Sequence, residues 1–228
     1  MKIIIIILFL SLGICREVEF KEIQLSGLIT DKKQEISGLE WYQDNLVLLP
    51  ENLGGFVYMI PKERIKKQLR SATPEPIEPR QVSFKTADYS KIIPGFQGFE
   101  AIAFKNEFVA ITLEAKNDKE MHGYYAWGTI NPESFEIMIP EKNLLELPVP
   151  VQVKNFTFES LLIHEDKTIV YFEANGRNLR ESAWQYTVSL ADQKVEKIDH
   201  PFIEYRINDV TRLDRLKEFR AINHLWPG

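Results

Sequence analysis

The sequence predicts an all-β protein, a β-propeller with about 3.5–4 four-stranded blades. Two patterns predict it. An apolar run, a polar turn and a second apolar run recur four times, at starts about 50 to 63 residues apart, and that period in short strands is how propeller blades read. Within each copy a polar residue early in the first run is followed, 14 residues on, by a second one. The pairs are Ser37 and Glu51, Glu100 and Glu114, Glu159 and Glu173, and Asp209 and Asn223.

Residues 17–29 alternate apolar and polar (Val18, Phe20, Ile23, Leu25, Leu28), which predicts one strand, placed to complete the last blade of the ring. Blade one covers about 35–87, with strands at 36–42, 46–51, 56–60 and 80–86. An insertion interrupts it. There Lys62 to Arg70 reads as a short solvated helix, and the Pro-rich stretch Thr73 to Pro79 reads as loop. Blade two covers 96–140 (99–104, 108–114, 124–130, 135–139). Blade three covers 155–199 (158–163, 168–173, 183–189, 195–198). The fourth, 207–228, supplies only 209–213 and 218–225, so the ring is expected not to close neatly, as in a chain truncated from a longer propeller.

Met1 and Lys2 precede an apolar run from Ile3 to Leu12, far short of the roughly 20 residues that span a bilayer, so residues 1–14 read as a signal peptide and 15–228 as the propeller domain. The single cysteine, Cys15, follows at once. Leu12-Gly13-Ile14-Cys15 resembles a bacterial lipobox, with Ile14 where a small residue is usual, and predicts lipidation of Cys15 in the outer membrane or periplasm, otherwise secretion. One cysteine allows no internal disulfide. A formal net charge of −5 without a basic stripe argues against nucleic acid, and the membrane is expected to be met only through the lipid.

The turns Gln43-Asp44-Asn45, Lys105-Asn106-Glu107 and Glu165-Asp166-Lys167 make each copy a hairpin. With the turn midway, Glu100 should face Glu114 and Glu159 should face Glu173. Opposed like charges are destabilising, so something must offset them. One solution is a metal site built from Glu51, Glu100, Glu114, Glu159, Glu173, Asp209 and Asn223 at one mouth of the channel; a ring of carboxylates outside the cytoplasm suits calcium. The other is structural, each acid accepting hydrogen bonds from backbone amides of the neighbouring blade and stapling the blades together. Lys116, Arg177 and Arg180 lie in loops beyond the acids, near His122 and Arg206. They could bind a phosphate or other small anion, or simply neutralise Glu114 and Glu173.

The motifs Ser37-Gly38-Leu39, Gly98-Phe99-Glu100-Ala101-Ile102, Phe158-Glu159-Ser160-Leu161 and Asn208-Asp209-Val210-Thr211 resemble those of the phytase-like bacterial secreted β-propellers ("esterase-like activity of phytase") over about residues 35–228. The resemblance implies a six-bladed ring, calcium sites and a loosely defined hydrolase activity on phosphate or carboxylic esters. No Gly-x-Ser-x-Gly elbow, His-Glu-x-x-His or P-loop occurs. Two functions are therefore expected to compete. One is a non-catalytic envelope lipoprotein, calcium-stabilised, binding a small anionic ligand, a glycan or an envelope protein. The other is a metal-dependent phytase-like hydrolase.

Overall fold

Four groups of antiparallel strands follow one another in the computed structural model, which describes residues 21–52, 54–204, 206–211 and 219–224. Blade one is β1 (Ile36–Tyr42), β2 (Asn45–Pro50), β3 (Gly55–Pro61) and β4 (Arg80–Lys85). Blade two is β5 (Phe96–Lys105), β6 (Phe108–Asn117) and β7 (Glu120–Ile130), edged by β8 (Ile137–Met138) and β9 (Leu144–Leu147). Blade three is β10 (Phe158–His164), β11 (Lys167–Phe172), β12 (Trp184–Ser189) and β13 (Val195–Asp199). The fourth group is the pair β14 (Arg206–Val210) and β15 (Ala221–His224). The first strands stand side by side in the order β1, β5, β10, β14. Consecutive sheets presenting their first strands to one another around a common centre make this a β-propeller.

Short hairpins set the register. The turns after β1, β5 and β10 each open on a residue in the left-handed region, Gln43 at φ 52°, Asn106 at 53° and Glu165 at 50°, and each turn has two residues. Blades then pack face to face. Leu49, Val57 and Phe84 of blade one meet Phe99, Ile102 and Phe104 of blade two. Ala101, Ala103, Ala110 and Tyr125 on the other side of blade two meet Phe158, Leu161, Ile163 and Phe172 of blade three. Leu162 and Tyr171 meet Ile207 and Val210. Each fully buried aliphatic or aromatic side chain is worth roughly 1.5–3 kcal/mol over its exposed state.

The faces of β5 are not simple alternation. Phe99, Ile102 and Phe104 turn to blade one, whereas Ala101 and Ala103 turn to blade three. A β-bulge explains it. Phe99 pairs with Leu113 and Ala101 with Thr112, leaving Glu100 as the extra residue, and one extra residue exchanges the two faces of a strand. The same irregularity recurs at Ser37 in β1, Glu159 in β10 and Asn208 in β14. Leu39, in β1, corresponds to Ile102 and Leu161, which pack on the blade before their own. In blade one it is 46% exposed.

Several sequence expectations need correcting. Within 21–29 no strand forms: the chain makes one parallel bridge, Leu25 to Ile77, then Gly27, at φ 79°, turns it into a single 3-10 turn (Leu28–Thr30). Ile23 and Leu25 pack on blade one, beside Ile77 and Ile65, rather than in the last blade. The fourth strand of blade two is split: β8 joins β4 in parallel to β7, and β9, missed in the sequence, pairs with the earlier part of β7. Lys62–Arg70 is a helix, α1, as expected of the insertion, and a one-turn α2 (Tyr89–Ile92) precedes β5. Cys15 and the apolar run before it lie outside the described residues.

Candidate carboxylate rim

The bulges decide how the acids meet. Glu100 does not oppose Glu114; the partner of Glu114 across the hairpin is Gly98. Glu159 is likewise the bulged residue, and the backbone of Glu173 lies against Thr157, donating its N–H to that carbonyl at 3.1 Å. The expected cross-strand pairs are thus replaced by a cluster around the first strands. Burial and like charge act on it together. Glu100 feels Glu159, Glu114, Glu51 and Glu173.

Register also corrects the fourth copy. Asp209 pairs with Ile222 and Asn223 with Ile207, so neither occupies the place of Glu100 or Glu114. The bulged residue there is Asn208, and His224 holds the backbone position equivalent to Glu173. Their separation of 16 residues instead of 14 hid this. Asp209 belongs to a different neighbourhood: burial, and then the charge of Glu40, push its carboxyl up to about 6.

Each glutamate at the end of a second strand meets the residue two positions before the next blade's bulge. Gly98 lies against Glu51, whose Cγ would stand 2.5 Å from a Cβ placed on that glycine. Thr157 donates its hydroxyl to Glu114 Oε2 at 2.8 Å. Arg206 donates Nε–H to Glu173 Oε2 and places Nη2 3.7 Å from Glu159 Oε1, while its guanidinium lies 4.5 Å from the centre of the Phe156 ring. Glu173 Oε1 accepts the Thr157 N–H at 3.0 Å. Backbone bonds run beside these contacts. Phe99 N–H donates to the Glu51 carbonyl and Ile207 N–H to the Glu173 carbonyl, both at 3.1 Å, and Ser37 Oγ donates to the Phe99 carbonyl at 2.6 Å. Glu114 and Glu173 therefore couple successive blades, through a side-chain hydroxyl and a guanidinium rather than through the expected backbone amides of the neighbouring blade.

Their electrostatics follow from burial. Glu173 is fully buried, and desolvation followed by the charge of Glu159 raises its carboxyl even though Arg206 and Thr157 pull the other way. Desolvation also raises Glu159, opposed by Arg206. Glu114 is raised by desolvation against the pull of Thr157, Arg206 and Lys116. Glu51, half-buried, reaches about 7 through desolvation and the charges of Glu35, Glu114 and Glu159. Glu100 rises furthest, to about 10. It is 7% exposed, and no hydrogen-bond donor reaches its carboxyl among the described residues.

Calcium, which the resemblance implies, is suited by this donor chemistry but not by its placement. It takes six to eight oxygen ligands. Glu114 and Glu173 are already held by Thr157 and Arg206, and among the described residues no three Asp, Glu, His or Cys side chains are grouped to hold one metal ion. The rim does not fit a calcium cage.

The three expected anion-binding cations are not brought together. Arg180 is buried in blade three, donating to Asn175 Oδ1 and the Trp184 carbonyl and lying over the Trp184 ring. Arg177 lies over Phe202. Lys116 extends from the end of β6 and acts on Glu114. Arg206, rather than Arg177, is the cation on Glu173. The contacts of Thr157 and Gly98 with these acids were not expected from the sequence, although both stand two residues before an acid already singled out.

No family model and no curated protein matches the chain. Among solved structures it is similar to the β-propeller domain of Nup133 from Vanderwaltozyma polyspora, at 9% identity and a TM-score of 0.44, over 79% of this chain and 51% of that one. The chain thus spans about half the length of that domain. Its own blade order and inter-blade packing define it as a propeller, and the glutamate rim distinguishes its centre.

Proposed function

We propose that this chain is an exported β-propeller of the bacterial envelope, tethered through Cys15, that works by binding rather than catalysis, and that the glutamate rim is its binding face. The observation that carries this is the excess of acidic groups: Glu100 interacts with Glu51, Glu114, Glu159 and Glu173, and among the described residues Arg206 is the cation bonded to two of them. Such a rim favours a cationic group over the small anion expected from the sequence, because a like-charged ligand would add repulsion where desolvation already disfavours charge.

The test is binding of spermidine to the full mature chain by calorimetry at low and high salt. Binding that weakens with salt and falls in Glu51→Gln supports the proposal; no binding, or binding indifferent to Glu51, rejects it. The tether is checked separately. Radiolabelled fatty acid should enter the wild type and not Cys15→Ala, and equal labelling of both, or of neither, removes the anchor.

One observation favours the hydrolase alternative. Glu51, at about 7, lies where a general base works best. Hydrolysis of p-nitrophenyl phosphate or acetate that is abolished in Glu51→Gln would establish that reading in place of the first.

A further inference from the structure

The three blade interfaces repeat one contact with three different residues: Gly98 at Glu51, Thr157 at Glu114 and Arg206 at Glu173. The second and third interfaces are the more alike. Each has a bulged glutamate on the first strand (Glu100, Glu159) and a buried glutamate within or just after the second (Glu114, Glu173). In the third a guanidinium bonds to Glu173 and approaches Glu159, with Phe156 as its platform. In the second, the equivalent position carries only the neutral hydroxyl of Thr157, which satisfies one oxygen of Glu114. Glu100, more than nine-tenths buried, has no donor among the described residues.

We propose that Glu100 and Glu114 form a binding site for a guanidinium group, the counterpart of the one that Arg206 fills between blades three and four. This rests on the rim binding cations and names the pair and the class of cation. A guanidinium pairs through its planar fork with one carboxylate and can reach a second, and it needs no cage. That matches a rim where Arg206 joins two acids and where, among the described residues, no three are grouped for a metal. The charged groups around the pair are Glu51 from blade one, Glu159, Glu173 and Arg206 from blades three and four, and Lys116 from β6 itself. The acids outnumber the cations, so the surroundings favour an entering cation. Binding has a further consequence. Burial raises both carboxyls, and at Glu100 the charges of four other glutamates raise it further, to about 10, so a guanidinium that pairs with Glu100 displaces a proton into solvent.

The probe is agmatine, titrated calorimetrically into the full chain in two buffers of different ionisation enthalpy. The expected result is one agmatine per chain with net proton release and affinity rising with pH. It should weaken at least tenfold in Glu114→Gln and stay within twofold of wild type in Glu136→Gln, a surface acid paired with Lys85. Thr157→Arg should supply the guanidinium in place and abolish agmatine binding. Should that variant fail to fold, Glu114→Gln still decides. Agmatine binding that survives in Glu114→Gln but falls in Glu51→Gln overturns the pair while leaving the rim. No agmatine binding, beside spermidine binding that depends on Glu51, also overturns the pair alone; neither ligand binding overturns both. Calcium binding that is lost in Glu114→Gln and displaces agmatine would assign the pair to a metal instead.

Discussion

Replacing Glu100 by Gln should make the protein more stable at neutral pH, which is unusual for a buried residue. The sign follows from linkage. Glu100 is raised above its unfolded value, from 4.5 to about 10, by burial first and then by four glutamates. Below about pH 4.5 both states hold the proton and the group costs nothing. As pH rises, the unfolded chain ionises while the folded one does not, and each pH unit costs the folded state about 1.4 kcal/mol. At pH 7.5 that is three units, on the order of 4 kcal/mol as an upper bound, because the neighbouring acids share the effect. Gln has the size and neutrality of the protonated acid and escapes the penalty. Urea unfolding in buffer free of amines and divalent cations should therefore give equal stability for wild type and Glu100→Gln near pH 4.5. Near pH 7.5 the variant should be ahead by roughly 2–4 kcal/mol. A variant less stable than wild type at both pH values would refute the reasoning, since Glu100 would then be making a favourable ionic contact.

Two other substitutions test the blade contacts. Gly98→Ala places a methyl 2.5 Å from Glu51 Cγ and 3.0 Å from its carbonyl oxygen; overpacking of this kind should cost about 1–3 kcal/mol, seen as a lower urea midpoint, and an unchanged midpoint contradicts the packing. Arg206→Met removes the cation between blades three and four, and breaking a buried pair costs about 3–5 kcal/mol when the partner stays charged. Glu159 and Glu173 can escape by binding protons, so the loss should be small near pH 5 and grow toward pH 8; a loss independent of pH would mean that Arg206 acts by packing on Phe156 alone.

The propeller was legible in the sequence because hairpins and their spacing are local. Turns such as Asn106-Glu107 and apolar runs such as Val109 to Leu113 announce themselves within a few residues. The rim was half legible. Glu51, Glu100, Glu114, Glu159 and Glu173 stood out by their repeat, and Glu100 feels the charges of the other four, but the way they are placed was hidden. A bulge depends on pairing across strands rather than on any residue in the run, so Glu100 appeared to face Glu114 when Gly98 does. Nothing in 208–224 shows that its spacing is two residues longer than in the other copies until the register of β14 and β15 is known, and hence Asp209 and Asn223 stood where Asn208 and His224 belong. Arg180 read as a loop cation, yet a guanidinium can be buried once Asn175 and the Trp184 carbonyl accept from it and an aromatic ring covers it. The split outer strand of blade two was invisible for a similar reason. Ile137–Met138 falls within the expected strand 135–139 and pairs with both β7 and β4, whereas Leu144–Leu147 becomes a strand through its pairing with the earlier part of β7.

The central claim is that five glutamates meet at the rim with too little compensating charge. Carbon-13 labelling of the glutamate side chains tests it most directly, by following each carboxyl carbon from pH 3 to 10 in the folded protein. The account predicts that Glu51 titrates near 7 and Glu100 well above it. Surface acids such as Glu63, held down by Lys66, should titrate below the ordinary range. All five rim carboxyls titrating together below pH 5 would contradict it.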